Sequence, residues 1–185
     1  VTRRSRYAFD PTPLELATLS TLLHWALGVQ RTASGYGSAE HPLGMAPSAG
    51  GLPSLRVHLV VGRAGELEPG IYEYLASGHT LSVVALGIPP LQQALVQPQF
   101  ADLAPTSIIL SGQLTVVLAK YPPRHYRTIH VDAGVAIQNL YLVSTALNLA
   151  SCAVAGYYDT ALAELLELTP DIIPLMVFPV GHHPR

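Results

Sequence analysis

Three short segments hold side chains that can do chemistry. Arg3-Arg4-Ser5-Arg6 offers planar guanidinium donors suited to a phosphate, or serves as a solvated basic tail. Pro47-Ser48-Ala49-Gly50-Gly51-Leu52-Pro53-Ser54 lets a flat ligand lie against open backbone whose N–H groups meet its polar edge. It matches neither GxGxxG nor the phosphate-cradling GxxxxGK[ST] pattern, so as a nucleotide motif it is poor, and a turn-rich loop is the alternative. Lys120-Tyr121, stopped by Pro122-Pro123, supplies a proton donor beside a proton acceptor, or a surface pair. Gln138-Asn139 sits in an apolar stretch, where buried amides need partners. Ala155-Gly156-Tyr157 gives another open backbone position. The eight histidines show no ligand spacing beyond His182-His183, so no metal site is expected.

The elements that must position these groups follow from capping and periodicity. Thr12-Pro13-Leu14-Glu15 reads as a helix start, followed by Leu16, Leu19, Leu22, Leu23, Ala26 and Leu27 at helical spacing and by Gly28 as the stop. Residues 35–54 carry five glycines and three prolines and are expected to form a functional loop. Strands are expected over 56–61, 70–75, 79–84, 106–110 and 172–180, the last interrupted by Pro174. Helices are expected over 91–96, 114–120 and 133–149, the long one capped by Asp132, with a further short helix after Asp159. No βαβ alternation appears, so the fold class is α+β: a central mixed, largely antiparallel sheet surrounded by helices, in one domain spanning 1–185.

Composition narrows the classes. A net charge of −2 gives no polyanion-binding field, and nucleic acid is not an expected partner. No run reaches the ~18 apolar residues needed to span a bilayer. Charged residues make up only 12% of the chain, so some apolar surface is either buried against a partner or exposed at a cost in solubility. The single Cys152, in an apolar run, suits a reducing, cytoplasmic setting and a buried structural thiol.

In order along the chain, Arg3-Arg4-Ser5-Arg6-Tyr7-Ala8-Phe9, Pro47-Ser48-Ala49-Gly50-Gly51, Gly70-Ile71-Tyr72-Glu73-Tyr74, the run Tyr126 to Leu140, Ala155-Gly156-Tyr157-Tyr158-Asp159 and Pro179-Val180-Gly181 resemble the nitroreductase-like FMN oxidoreductases. The branch they resemble most is that of the thiazole/oxazole-forming (azoline), or SagB-type, dehydrogenases. The resemblance implies a nitroreductase-like homodimer with FMN at the subunit interface. It implies that Arg3, Arg4 and Ser5 meet the phosphate and ribityl chain, and that Pro47, Ser48, Ala49 and Gly50 border the isoalloxazine with Gly156 nearby. Gln138 and Asn139 match a segment near the cofactor, and Arg185 matches a C-terminal phosphate contact. Lys120 and Tyr121 fall where that branch keeps a Lys-Tyr pair for dehydrogenating thiazolines or oxazolines in a peptide or related natural product. Where a basic approach to the Pro-Ser-Ala-Gly segment is expected, this chain has His41-Pro42-Leu43-Gly44-Met45-Ala46. A cyclase or scaffold partner fits the same resemblance. The alternatives are a NAD(P)H-dependent reductase of nitroaromatics or quinones, and a flavin-binding scaffold subunit without turnover of its own.

Overall fold

A computed structural model describes residues 3–63 and 65–184 of the chain. Its frame is a six-stranded sheet in which every pairing is antiparallel. Helix α1 (Leu16–Leu27) opens the chain, and a hairpin of β1 (Val29–Gly35) and β2 (Ser38–Gly44) follows. The sheet contains β3 (Leu55–Val61), β4 (Gly70–Leu75), β5 (Thr80–Leu86), β6 (Thr106–Gln113), β7 (Leu149–Ser151) and β8 (Ile172–His182), in the order β5-β4-β3-β6-β8-β7. The other helices are α2 (Leu91–Ala94), α3 (Gln99–Leu103), α4 (Leu114–Leu118), α5 (Tyr126–Ala146) and α6 (Asp159–Leu165).

Strand alternation builds a core on each face of the sheet. Val57, Leu59 and Val61 of β3 and Ile108 and Leu110 of β6 pack towards α1 and α5, against Leu22, Ala26, Ile129, Ala133 and Leu140. Val60, Ile109 and Val177 face the other way, towards α2, α3 and α6. Because β6 is covered on both faces, Ile108, Ile109 and Leu110 stand in a row at its centre rather than alternating with polar residues. Pro174 is accommodated where the β6–β8 register shifts between Leu110 and Ser111, so its missing N–H interrupts no regular ladder.

Four sequence expectations change. The segment 35–54 is not a continuous loop, because it contains the turn and return strand of the β1–β2 hairpin. Tyr36 and Gly37 both have positive φ, 53° and 78°, as a two-residue hairpin turn requires. Few hairpin side chains enter the core, so the strands carry no apolar alternation to reveal them. Helix α1 begins at Leu16 with no side-chain cap from Glu15 or Thr12. Its first amide, Leu16 N–H, donates instead to Glu66 Oε1 at 2.9 Å, fifty residues away in sequence. Helix α5 starts at Tyr126, immediately after the turn set by Pro122-Pro123, so Asp132 is an internal helical residue and not a cap. The chain then turns through Asn148, at φ 55°, into β7, which replaces the expected last helical turn.

Candidate active site

The two prolines after α4 end that helix just as Lys120 and Tyr121 leave it, with the Tyr121 amide still bonded to Val117 O at 3.0 Å. Both side chains meet at Gly50. A Cβ built on Gly50 would stand 2.5 Å from Tyr121 Oη, 2.7 Å from Lys120 Nζ and 2.9 Å from Tyr36 Oη. Only glycine leaves that space open, and its φ of 61° is one that other residues adopt at a cost. Lys120 Nζ donates to Tyr36 Oη, and Tyr36 Oη donates to Gly50 O. The ammonium lies 4.5 Å from the Tyr36 ring centre and 5.0 Å from that of Tyr121. The hydrogen bond to Tyr36, reinforced by one to Tyr121, raises the Lys120 ammonium above its ordinary range, so it is a cation at neutral pH. Tyr121 is held from its other side by stacking on His125, 4.5 Å between ring centres.

The loop beneath this group is pinned from both sides. Asp132, 4% exposed on α5, accepts from Ala49 N–H at 3.0 Å and from the buried Ser54 Oγ at 2.8 Å. Ser48 Oγ donates to Leu52 O at 2.7 Å, and His41 Nε2 donates to Gly51 O at 2.8 Å. Pro47 is exposed and free of side-chain polar groups. On the loop's other flank lies a cleft of about 310 Å³, bordered by Leu27, Leu52, Val57 and the Arg56–Glu73 ion pair. Ser48 and Gly51 of the loop line it, while Lys120 and Tyr121 do not.

The N-terminal basic segment is held at a second place. Ser5 Oγ and Tyr141 Oη are 2.9 Å apart, Tyr141 Oη accepts from Ala153 N–H at 2.6 Å, and the Arg3 guanidinium sits 5.1 Å from the Tyr141 ring centre. Arg4 and Arg6 lie near enough to His183 to lower its basicity, after burial as the first cause. Among the described residues neither Arg3 nor Arg4 forms an ion pair, and both are exposed, as a site for an anionic group requires. Gly156 is exposed, and among the described residues only Val96 comes near its open side. Gln138 is exposed on α5, while Asn139 turns inward to donate to Ala26 O at 3.3 Å. Arg185 lies outside the described residues. No group of three or more His, Cys, Asp or Glu side chains among the described residues could hold a metal.

The structure thus makes two clusters of the expected site residues, and α5 carries both. Asp132 anchors the glycine loop and Tyr141 anchors the arginine segment; nine residues of helix separate them, about 13 Å of rise and about two and a half turns. They therefore project from opposite flanks of the helix. Between them runs an exposed stripe containing Val131, Gly134, Gln138 and Leu142.

Comparison with known proteins gives the family and the fold. The family model described as "Nitroreductase family" matches residues 1–182. The chain belongs to that family. Its members are oxidoreductases that generally bind flavin, and this chain is an oxidoreductase of that fold. A protein of Methanocaldococcus jannaschii described as a nitroreductase is 29% identical over 98% of this chain and 87% of its own length. The trifolitoxin-processing protein TfxB of Rhizobium leguminosarum bv. trifolii is 25% identical over 94% of this chain, which spans 48% of TfxB. Among solved structures, a chain of the E. coli microcin synthetase McbBCD complex, with truncated pro-MccB17 bound, superposes with a TM-score of 0.81 at 25% identity over 98% of this chain and 69% of that one. A nitroreductase-like protein from Anabaena variabilis gives 0.82 at 23% identity, this chain covering 37% of it, and shows the shared fold.

To Lys120, Tyr121 and the glycine loop, which the sequence offers as candidates, the packed structure adds Tyr36, Asp132 as a loop anchor, and Tyr141. Of these, Asp132 carries a signal in the sequence, as an acidic residue between apolar helical positions, where a buried charge needs partners.

Proposed function

We propose that this chain is an FMN-dependent dehydrogenase that converts thiazoline or oxazoline rings in a peptide or related natural product to thiazoles or oxazoles. The observation that carries the reading is the convergence of Lys120 and Tyr121 on Gly50 of the Pro-Ser-Ala-Gly loop. Aromatisation removes one ring hydrogen as a proton and a neighbouring one as a hydride while a double bond forms between the two carbons. FMN, when bound, supplies the two-electron acceptor. Tyr121, acting as the phenolate, takes the proton and becomes the phenol, and the Lys120 ammonium stabilises the negative charge that oxygen carries until it does. Asp132 and His41 fix the loop so that the pair and the open backbone keep one geometry. Similarity to TfxB and to a chain of the McbBCD complex supports a peptide-processing role and a biosynthetic partner.

The residues present fit the cofactor when two copies of the chain combine. Exposed Arg3 and Arg4 beside Ser5 suit the phosphate, and the open Gly156 suits close approach of a flat ring. The glycine loop lies on the opposite flank of α5, so it joins the arginines of a partner across the exposed stripe, in a homodimer. The similarity to a described nitroreductase supports a second reading, a NAD(P)H-dependent reductase of small oxidants.

The test follows the flavin absorbance of the FMN-loaded protein without oxygen. Bleaching by an azoline peptide, with an azole product, supports the dehydrogenase. Bleaching by NADPH alone, with turnover of a quinone or nitroaromatic, supports the reductase. Lys120→Ala and Tyr121→Phe should keep FMN and lose about 10²- to 10⁴-fold in azoline turnover.

A further inference from the structure

Tyr36 sits at the tip of the β1–β2 hairpin, half exposed at 51%, and nothing in the core requires an aromatic ring there. Its hydroxyl nevertheless has both of its roles filled by the site. It accepts from Lys120 Nζ and donates to Gly50 O, so one phenol ties the lysine to the loop. Its ring also lies under the ammonium and 4.7 Å from the ring centre of His41, whose Nε2 holds the next carbonyl, that of Gly51. Two hairpin side chains thus grip two consecutive loop carbonyls, and one of them also grips the catalytic cation.

We propose that Tyr36 is the positioning residue of this site: the hairpin tip sets where the Lys120 ammonium stands relative to Tyr121 and Gly50. Two tyrosines surround one lysine, and their hydrogen-bond inventories separate their roles. A phenol has one proton to donate. Tyr36 has committed its proton to a backbone carbonyl, which fixes the direction of its oxygen and makes it a bracket. Among the described residues Tyr121 Oη has no such backbone tie, and it remains the oxygen that can exchange a proton. The hairpin around Tyr36 is also the stretch where the sequence carries His41-Pro42-Leu43 instead of the basic approach expected from the family resemblance, so this chain holds its lysine with its own hairpin residues. The inference rests on the dehydrogenase reading only for the catalytic consequence; the positioning of Lys120 stands separately from it.

Because Lys120 is the only lysine, biosynthetic labelling with ¹³C-ε-lysine gives one side-chain signal, which reports this ammonium alone in the FMN-loaded protein. Tyr36→Phe keeps the ring and removes the hydroxyl. The expected result is a Lys120 titration displaced to lower pH, a broader lysine signal, retained FMN and azoline turnover reduced about ten- to a hundredfold, the worth of a hydrogen bond to a charged group. The alkaline limb of its pH–rate profile should shift in the same direction. Tyr121→Phe should instead remove turnover more completely while leaving the Tyr36–Lys120 contact in place. A Lys120 titration that is the same in wild type and Tyr36→Phe would overturn the inference. A titration that moves in Tyr36→Phe, together with undiminished turnover of Lys120→Ala, would leave Tyr36 as the bracket and remove the catalytic reading of the lysine.

Discussion

Gly50 and Gly51 make it possible to separate backbone strain from disruption of the active group. Both have φ in the left-handed region, 61° and 68°, so an alanine at either costs about 1–2 kcal/mol in backbone strain. The new methyl groups meet different neighbours. At Gly51 it would stand 2.7 Å from Leu43 Cδ2, the end of a side chain that can rotate away. At Gly50 it would stand 2.5 to 2.9 Å from the polar atoms of Tyr121, Lys120 and Tyr36. To restore an ordinary 3.4 Å contact those atoms must each retreat by about 0.5 to 0.9 Å. Displacements near 1 Å cost a positioned group about 10²-fold in rate. Both variants should therefore melt about 2–8 °C below wild type, the effect of 1–2 kcal/mol in a domain of this size. Only Gly50→Ala should also lose about 10²-fold in azoline turnover, measured on protein with equal FMN content. Equal turnover in the two variants, with FMN retained, would refute the argument that Lys120 and Tyr121 act from their positions over Gly50.

Three further outcomes are expected. Asp132→Ala leaves Ala49 N–H and Ser54 Oγ without their acceptor and should cost about 1–3 kcal/mol for each group left unpaired, with much of it recovered in Asp132→Asn; denaturant midpoints measure this. Tyr141→Phe removes the oxygen shared by Ser5 and Ala153 and should weaken FMN binding by about tenfold while leaving kcat at saturating FMN unchanged, which a fluorescence titration beside steady-state kinetics would show. His58 is buried with an unpartnered Nδ1, and burial lowers its pKa from 6.5 to about 4. The unfolded chain then binds the proton first, so this residue's contribution is fully present above pH 6.5 and is lost as pH falls towards 4, about 3 kcal/mol in all. Urea denaturation from pH 7.5 to 4.5 should show a shallower decline in His58→Leu, and parallel declines would contradict the assignment.

The legible parts of this chain were those whose pattern and environment agree. Strand β6 and helix α5 are recognisable because burial dictates their residues, and the prolines after Tyr121 mark a boundary that the fold keeps. The hairpin was hidden because its side chains lean on one another and on the site, not on the core, so no period records its strands. The start of α1 misled because Thr12 and Glu15 satisfy a local capping rule, while the first helical amide is satisfied by Glu66, a residue that local reading cannot associate with it. Within the site the motif segments were visible, but their fasteners were not. Asp132 and Tyr141 are single polar residues in a helix whose other buried positions are apolar or small, and only the packed structure shows which loop each one holds.

The opposite projections of Asp132 and Tyr141 from α5 have a genetic consequence. If each centre draws its glycine loop from one chain and its arginines from the other, a mutation in either half disables both centres of a homodimer. Two such inactive chains, one altered at Arg3 and Arg4 and one at Lys120, are then not equivalent failures. Refolded together, their mixed dimers contain one centre with both defects and one with neither. Random pairing restores about a quarter of the wild-type activity from two dead proteins.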